Sequence, residues 1–142
     1  MTQKTYTTHS SEETKQVALE FARTLKGGEC VFLEGELGAG KTTFVQGLAS
    51  ALGVTDAVRS PTFAVMNMHS TKHPTIKTLV HLDLYRLEKP EEIRPLGLEE
   101  WLDRPDTVVI VEWPRTMWVR AKITATISFT VVSSDERKIA VQ

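Results

Sequence analysis

The stretch Gly35-Glu36-Leu37-Gly38-Ala39-Gly40-Lys41-Thr42 decides the fold, because it satisfies the phosphate-loop pattern G-x-x-x-x-G-K-S/T. The apolar run from Val31 to Leu33 precedes it and predicts a strand, and the stretch from Thr43 to Leu52 follows it and predicts a helix. The pattern is specific when it lies between a strand and a helix. The sequence therefore predicts an α/β fold of the P-loop type, with a mixed central sheet flanked by helices.

The glycines of this loop let the backbone curl so that successive N–H groups point at phosphate oxygens, and the following helix adds the positive end of its dipole. In such a loop, Lys41 would reach the β- and γ-phosphates, and the Thr42 hydroxyl would bind a Mg²⁺ that bridges them. GTPases recognise guanine through an Asn-Lys-x-Asp segment, which this sequence lacks. The predicted ligands are therefore ATP and Mg²⁺.

Residue spacing on either side of the loop predicts further elements. Ser10 and Glu13 are spaced as a capping box, at the start of a helix that Gly27-Gly28 would end. Two β-prone runs, Thr62 to Met68 and Ile76 to Leu84, predict a hairpin after the P-loop helix.

The second half of the chain continues this alternation of elements. The stretch from Glu91 to Asp103 predicts a helix that is interrupted at Pro95-Leu96-Gly97. The run from Val108 to Val111 is continuously apolar, which is typical of a strand buried on both faces. Apolar residues then alternate from Ile123 to Val131 and return through Ile139 to Val141, which predicts a second hairpin.

The composition bounds the class of protein. The 142 residues suffice for one domain, taken as residues 1–142, and 41% hydrophobic with 25% charged residues is typical of a globular chain. The formal net charge of -1 supplies no positive field that would hold nucleic acid non-specifically. The single cysteine, Cys30, excludes an intrachain disulfide and predicts a buried thiol. Since no run approaches the roughly 18 apolar residues of a membrane span, a soluble, cytoplasmic protein is expected.

Two carboxylates end β-prone runs and are candidates for one site. Glu112 follows the buried run at Val108 to Val111, and parallel sheets bind ligands at the carboxyl ends of their strands. Glu112 would hold Mg²⁺ through water or orient the attacking water, and its neighbours alone leave both roles open. Asp83 lies between two leucines near the end of another run, so it could face the same crevice or serve as a turn carboxylate.

Three weaker features complete the list of candidates. The segment Ser60-Pro61-Thr62-Phe63 joins a restricted backbone to hydroxyls that a γ-phosphate or Mg²⁺ could attract, as in a nucleotide switch, although such a segment is more often only a turn. His69 and His73 lie in a polar stretch, which favours a solvated loop over a metal pair. Trp113, beside Glu112, could line the nucleotide site.

The P-loop, Ser60-Pro61-Thr62-Phe63, His81-Leu82-Asp83-Leu84-Tyr85-Arg86-Leu87 and Glu112-Trp113-Pro114 occur in the order and spacing of the TsaE (YjeE) family, which this chain resembles over most of its length. The resemblance implies a small bacterial P-loop ATPase that supports formation of threonylcarbamoyladenosine in tRNA. It implies TsaB and TsaD as partners, with TsaD performing the transfer and this chain hydrolysing ATP. The tRNA would be reached through that assembly.

By matching positions, the resemblance implies that Lys41 and neighbouring amides bind phosphate, that Thr42 and Glu112 serve Mg²⁺, and that Asp83 supports hydrolysis. The catalytic candidates are accordingly Lys41, Asp83 and Glu112. The nucleotide-binding candidates are Glu36, Gly38, Ala39, Gly40, Lys41, Thr42, Thr43 and Thr62, the last within the switch-like segment. The chain departs from the family at Glu36, where Asp is common, at Arg115, where an acidic residue is usual, and in the stretch 116–122, which lacks a Leu-Pro pattern.

Two other functions fit a P-loop: a small-molecule phosphotransferase, and a nucleotide-dependent binding module that does not hydrolyse. A kinase closes over its second substrate and usually brings an arginine-bearing lid, whereas only short connections follow the P-loop helix here. ADP formation that is lost in Glu112→Ala would exclude the binding module.

Overall fold

The computed structural model describes residues 3–58, 66–114 and 122–142, which form one seven-stranded mixed sheet with two α-helices on one face and short 3-10 turns on the other. This confirms the predicted fold class. The strands are β1 (Lys4–Thr8), β2 (Cys30–Gly35), β3 (Met66–Ser70), β4 (Thr78–Asp83), β5 (Thr107–Glu112), β6 (Ala125–Ser133) and β7 (Glu136–Val141). The helices are α1 (Ser11–Ala22) and α2 (Lys41–Ala51), and short 3-10 turns span Pro90–Glu92, Arg94–Leu96 and Leu98–Glu100.

The order of the strands in the sheet is β1-β7-β6-β2-β5-β4-β3. The central four, β6, β2, β5 and β4, are parallel, while β7, β1 and β3 pair antiparallel with their neighbours. Leu33 and Asp83 both lie opposite Glu112 in the register. The carboxyl ends of β2, β5 and β4 therefore meet at one edge of the sheet, where such folds bind their ligands.

Two apolar clusters cover the faces of the sheet, as the pleat dictates for strands that are buried on both sides. On one face, Phe44 and Leu48 of α2 pack with Leu33 and Ile110, and α1 closes this layer through residues such as Ala18. On the other face, a smaller cluster joins Phe32, Leu82 and Val111 to apolar residues of the 3-10 turns. All six residues of β5 are buried, which confirms the prediction for its apolar run.

The first helix differs from its prediction at both ends. Ser10 is the N-cap and its side chain accepts a hydrogen bond from the Glu13 N–H at 3.1 Å, but the Glu13 carboxylate accepts from the His9 N–H at 2.7 Å rather than from Ser10. The helix ends at Ala22, before Gly27. Thr24 contributes to this early end because its hydroxyl donates to the Phe21 carbonyl at 2.7 Å and offers an alternative to the helical ladder.

The interrupted helix predicted at residues 91–103 is wrong, since the segment forms consecutive 3-10 turns. Pro90 and Pro95 each supply no N–H and hold their own φ near the helical value, which suits the first positions of short turns better than the middle of a long helix. Both predicted hairpins are confirmed by the antiparallel pairs β3–β4 and β6–β7. Within the described ranges, no helix has the length and apolar character that crossing a membrane requires.

Candidate functional site

The P-loop runs from the end of β2 to the start of α2 along a curled path. Its glycines have positive φ angles, +152° at Gly35, +78° at Gly38 and +102° at Gly40. At Gly35 a β-carbon would also lie 2.7 Å from the Phe129 carbonyl oxygen of β6, so no larger residue fits there. The glycine spacing in the sequence thus corresponds to a backbone that only glycine adopts without strain.

Helix α2 begins at Lys41, with Gly40 as a left-handed N-cap. A glycine cap brings no side chain to the first N–H groups of the helix, which have no partner within the helix itself. Thr42 and Thr43 are half-buried at this end. The arrangement leaves N–H donors and the positive end of the helix dipole for an anion.

The Lys41 side chain turns back into the loop, and the residue is 5% exposed. Its ammonium group donates to the Gly35 carbonyl and lies 3.6 Å from the centroid of the Trp113 ring. Burial lowers the pKa of Lys41, while the negative charges of Glu112 and Asp83 act in the opposite direction. The predicted phosphate lysine therefore shares one electrostatic environment with both predicted carboxylates.

Trp113 adopts a left-handed conformation with φ of +54°, which is rare for a bulky residue and marks a constrained backbone. Its N–H donates to the Leu33 carbonyl at 3.3 Å, and its ring lies 4.8 Å from the ring of Tyr85. This turn after β5 carries the indole over the Lys41 ammonium. The structure thus brings Trp113 to the P-loop, as the sequence suggested.

Asp83 and Glu112 end the adjacent strands β4 and β5 and lie directly opposite one another. Glu112 is 2% exposed, whereas Asp83 is half-buried and its carboxylate accepts a hydrogen bond from the Tyr85 N–H at 3.0 Å. Burial raises the pKa of Asp83, and the nearby charge of Glu112 adds to this effect. Asp83 therefore combines the two roles that the sequence left open. It accepts a hydrogen bond within the turn after β4, and it lies opposite Glu112.

The sequence assigned no role to His81, which lies on the same face of β4 as Asp83. His81 is fully buried, and its Nε2 lies 2.5 Å from Glu112 Oε2. The available signal was the two-residue spacing of His81 and Asp83 at the end of a strand, because alternate residues share a face. Only the pairing of β4 with β5 shows that Glu112 completes this group.

The side-chain oxygens of Thr42, Asp83 and Glu112 are of the type that binds a Mg²⁺ arriving with a nucleotide. Among the described residues, no group of three or more His, Cys, Asp or Glu side chains forms a self-contained metal site. Mg²⁺ is characteristically bound by one or two carboxylates together with substrate phosphates, and it keeps several waters. Glu112 and the Thr42 hydroxyl supply oxygen ligands of that kind beside the P-loop, with Asp83 as a neighbouring carboxylate.

A cleft of about 160 Å³ borders the P-loop on the side of β6, away from β5 and the carboxylates. Arg137 of β7 lines it and donates to the Gly38 carbonyl at 3.2 Å and to the Ser133 carbonyl at 2.8 Å. The start of α1, Thr43 and the β6–β7 turn also line the cleft. Sequence reasoning missed Arg137 because 99 positions separate it from Gly38.

The remaining sequence candidates have varied positions. Glu36 and Gly38 are exposed, whereas Ala39 is buried. Thr62 and the rest of the switch-like segment lie outside the described residues, and so do Arg115 and most of the stretch 116–122.

One prediction about the histidines is wrong and the prediction about the cysteine is confirmed. His69 lies in β3, is 5% exposed and pairs with Asp56 at 2.7 Å, so it is a core histidine rather than part of a solvated loop. The strand pairing of β3 with β4 encloses it. Cys30 is buried, and burial raises the pKa of its thiol to about 12.

Comparison with known proteins gives consistent matches. The family model of the threonylcarbamoyl adenosine biosynthesis protein TsaE matches residues 8–139. A tRNA threonylcarbamoyladenosine biosynthesis protein TsaE from Treponema pallidum is 35% identical, over 93% of this chain and 95% of that protein. The protein of the same name from Bacillus subtilis is 42% identical, over 80% of this chain and 68% of that protein. The one from Aquifex aeolicus is 49% identical, over 73% of this chain and 71% of that protein.

The fold agrees with these sequence matches. The crystal structure of Bacillus subtilis YdiB superposes with a TM-score of 0.78 at 32% identity, over 99% of this chain and 84% of that one. The family model covers nearly the whole chain, including the P-loop, His81, Asp83 and Glu112. The chain therefore belongs to the TsaE family of threonylcarbamoyl adenosine biosynthesis proteins.

Proposed function

We propose that this protein is the ATP-binding and ATP-hydrolysing component of tRNA threonylcarbamoyladenosine modification in the cytoplasm. It would act with TsaB and TsaD and reach tRNA through that assembly. The observation that carries the proposal is the position of the Lys41 side chain. Its ammonium group contacts the P-loop carbonyl of Gly35 and also experiences the charges of Glu112 and Asp83. Family membership supports the pathway, since the relatives are named for threonylcarbamoyladenosine biosynthesis.

In this proposal the triphosphate lies across the loop with its two ends on opposite sides. The γ-phosphate faces β5 and β4, where Glu112 and Asp83 end their strands. The nucleoside then extends toward β6, where the cleft beside Thr43 and Arg137 is open to receive it. The N–H groups at the start of α2 bind the phosphates between these ends.

Lys41 would exchange its carbonyl and indole contacts for phosphate oxygens. Burial of the Lys41 ammonium lowers its pKa, because the charged form has lost contact with water. A phosphate anion would offset this cost by pairing with the ammonium. A bound Mg²⁺, held by Thr42 and Glu112, would supply charge neutralisation at the β- and γ-phosphates.

Asp83 would orient the attacking water and accept a hydrogen bond from it. Water attacks the γ-phosphorus, the bond from that phosphorus to the bridging β-γ oxygen breaks, and ADP and inorganic phosphate leave. The raised pKa of Asp83 suits a carboxylate that takes up a proton during turnover.

The test is ATP hydrolysis by the purified protein, alone and with TsaB and TsaD, in wild type and in Asp83→Asn and Glu112→Gln. Each variant keeps the shape of its side chain and removes its charge. We expect slow turnover alone, stimulation by the partners and a loss of about 100-fold or more in both variants, the size reported for removal of one transition-state group.

The product distinguishes the other functions of a P-loop. ADP and inorganic phosphate support the proposal, whereas a phosphorylated metabolite would show a phosphotransferase. Nucleotide binding without any ADP formation by the full assembly would show a binding module. Turnover that neither variant lowers would contradict the assigned site.

A further inference from the structure

We propose that His81 is a positioning residue, whose imidazole N–H fixes the Glu112 carboxylate in the orientation that serves Mg²⁺. The inference rests on the proposed function, because it concerns how the same site binds its metal. It starts from the 2.5 Å contact between His81 Nε2 and Glu112 Oε2. It assigns a role to a residue that does not itself touch nucleotide.

The two side chains are held by the sheet rather than by a loop. His81 lies opposite Ile110 and Asp83 lies opposite Glu112, so the contact is a diagonal one between neighbouring parallel strands. Strand β4 is enclosed by β5 on one side and β3 on the other. With exposures of 0% for His81 and 2% for Glu112, neither side chain can turn to solvent. The orientation of the carboxylate is therefore set before any ligand binds.

A carboxylate that is buried to this extent needs hydrogen-bond donors within the protein, because water does not reach it. The His81 ring supplies one at Oε2. The Lys41 ammonium interacts with Glu112 through its charge, and phosphate binding would redirect that ammonium. The contact with His81 is thus the one that persists when nucleotide binds, and it leaves the carboxylate with a defined direction.

The second ring nitrogen of His81, Nδ1, is buried and makes no hydrogen bond with the described residues. A buried polar atom without a partner destabilises the folded protein, and an apolar residue at this place would avoid that cost. Among the described residues, His81 therefore forms no relay through its second ring nitrogen. Its polar contact is with Glu112, and function at that carboxylate accounts for a histidine here.

His69 and Asp56 form a second histidine–carboxylate contact, outside the P-loop, which serves as a control for His81 and Glu112. His69 is also buried, its Nδ1 lies 2.7 Å from Asp56, and its Nε2 has no partner among the described residues. The difference is in the carboxylate, since Asp56 is 60% exposed and water can replace its histidine. His69→Leu thus reproduces the loss of a buried histidine–carboxylate contact without touching the site.

The experiment compares His81→Leu, which removes the donor, with His81→Gln, which can return an N–H to the place of Nε2, and with His69→Leu. Binding of a non-hydrolysable ATP analogue is measured by calorimetry while Mg²⁺ is titrated, and kcat and KM are measured with the partners. Outer contacts of metal ligands are typically worth about 10–100-fold in metal affinity. We expect His81→Leu to raise the half-saturating Mg²⁺ concentration by about that factor.

The same variant should bind the analogue without Mg²⁺ within about twofold of wild type, because the phosphates then contact the P-loop alone. His81→Gln should recover most of the Mg²⁺ affinity, and His69→Leu should leave it unchanged. An unchanged Mg²⁺ dependence in His81→Leu would overturn the proposal. So would equal defects in His81→Gln and His81→Leu, or the same shift in His69→Leu.

A measurement on the wild-type protein covers the case in which His81→Leu does not fold. The nitrogen chemical shifts of the His81 ring report which nitrogen carries the proton. The proposal requires a proton on Nε2, and a neutral ring protonated only on Nδ1 would refute it. If the wild type binds no ATP at all, the proposed function fails, whereas the tautomer still decides the contact between His81 and Glu112.

Discussion

At the scale of single residues, Lys41 is held in place by contacts that a phosphate can replace. A carbonyl and an aromatic ring face its ammonium, and both are weaker partners for a buried cation than an anion would be. Burial lowers its pKa, and the charges of Glu112 and Asp83 offset this effect only in part. The proposed phosphate contact therefore accounts for a buried lysine at this position.

Lys41→Ala should separate these two roles. We expect ATP hydrolysis with the partners to fall by about 100-fold or more, because a group that contacts the transferring phosphate is removed. The melting temperature of the nucleotide-free protein should change by only a few degrees, since the direct contacts of the ammonium are a carbonyl and an aromatic ring, and its burial opposes its attraction to Glu112 and Asp83. Calorimetric unfolding and phosphate release measure the two quantities. A large drop in melting temperature with normal hydrolysis would reverse the assignment.

Cys30 gives a pH dependence whose sign follows from its environment. Burial disfavours the thiolate and raises the pKa of the Cys30 thiol from its ordinary value of 9.0 to about 12 in the folded protein. The unfolded chain therefore loses its proton first, and the contribution to stability is present below about pH 9 and is lost as the pH rises toward 12.

Urea unfolding of wild type and Cys30→Ala at several pH values checks this expectation. Above pH 9 the unfolding free energy of wild type should fall by up to about 1.4 kcal/mol per pH unit more steeply than that of the variant. Parallel slopes would show that the thiol titrates equally in both states. Slow reaction of the native thiol with an alkylating reagent is the companion observation.

At the scale of elements, Gly47 of α2 lies close to the backbone of α1. A β-carbon on Gly47 would lie 2.9 Å from the Cα of Lys15 in α1, a backbone atom that cannot move by itself. The α1–α2 layer covers the face of the sheet that leads to the P-loop. The glycine is thus a packing requirement within a helix, where it is otherwise unfavourable.

Gly47→Ala should destabilise the protein by about 1–3 kcal/mol, the usual range for overpacking, although alanine favours a helix by about 1 kcal/mol. Ser50→Ala on the exposed side of the same helix is the control and should stay within about 0.5 kcal/mol of wild type. Denaturant unfolding measures both. A stabilising Gly47→Ala would mean that α1 shifts at no cost.

Local chemistry explains which elements the sequence predicts. The P-loop and α2 follow from glycine spacing, because the required φ angles belong to single residues. Strand β1 escaped prediction because Lys4–Thr8 is polar and becomes a strand by pairing with β7. His81 and Arg137 escaped because their roles depend on partners 31 and 99 positions away, which only the completed sheet brings close.

At the scale of the whole molecule, the proposed nucleotide would contact β2, β4, β5 and the cleft beside β6 and β7 together. A ligand that binds the folded state alone stabilises it by mass action, by about 2.7 kcal/mol at 100 times its dissociation constant. We expect Mg²⁺ with a non-hydrolysable ATP analogue to raise the melting temperature, and GTP to do so less. Differential scanning fluorimetry measures the shift, and Lys41→Ala should abolish it. An equal shift in that variant would place the nucleotide elsewhere.

The pairing of β1 with β7 has a consequence for synthesis. Strand β1 cannot form its ladder with β7 until Glu136–Val141 has also left the ribosome, so this edge of the sheet closes only after all the other described strands have been translated. Arg137 arrives with the same strand and then contacts Gly38. A nascent chain that stalls before this point would carry the phosphate motif without its last support, and a ribosome-bound intermediate should therefore bind nucleotide less tightly than the released protein.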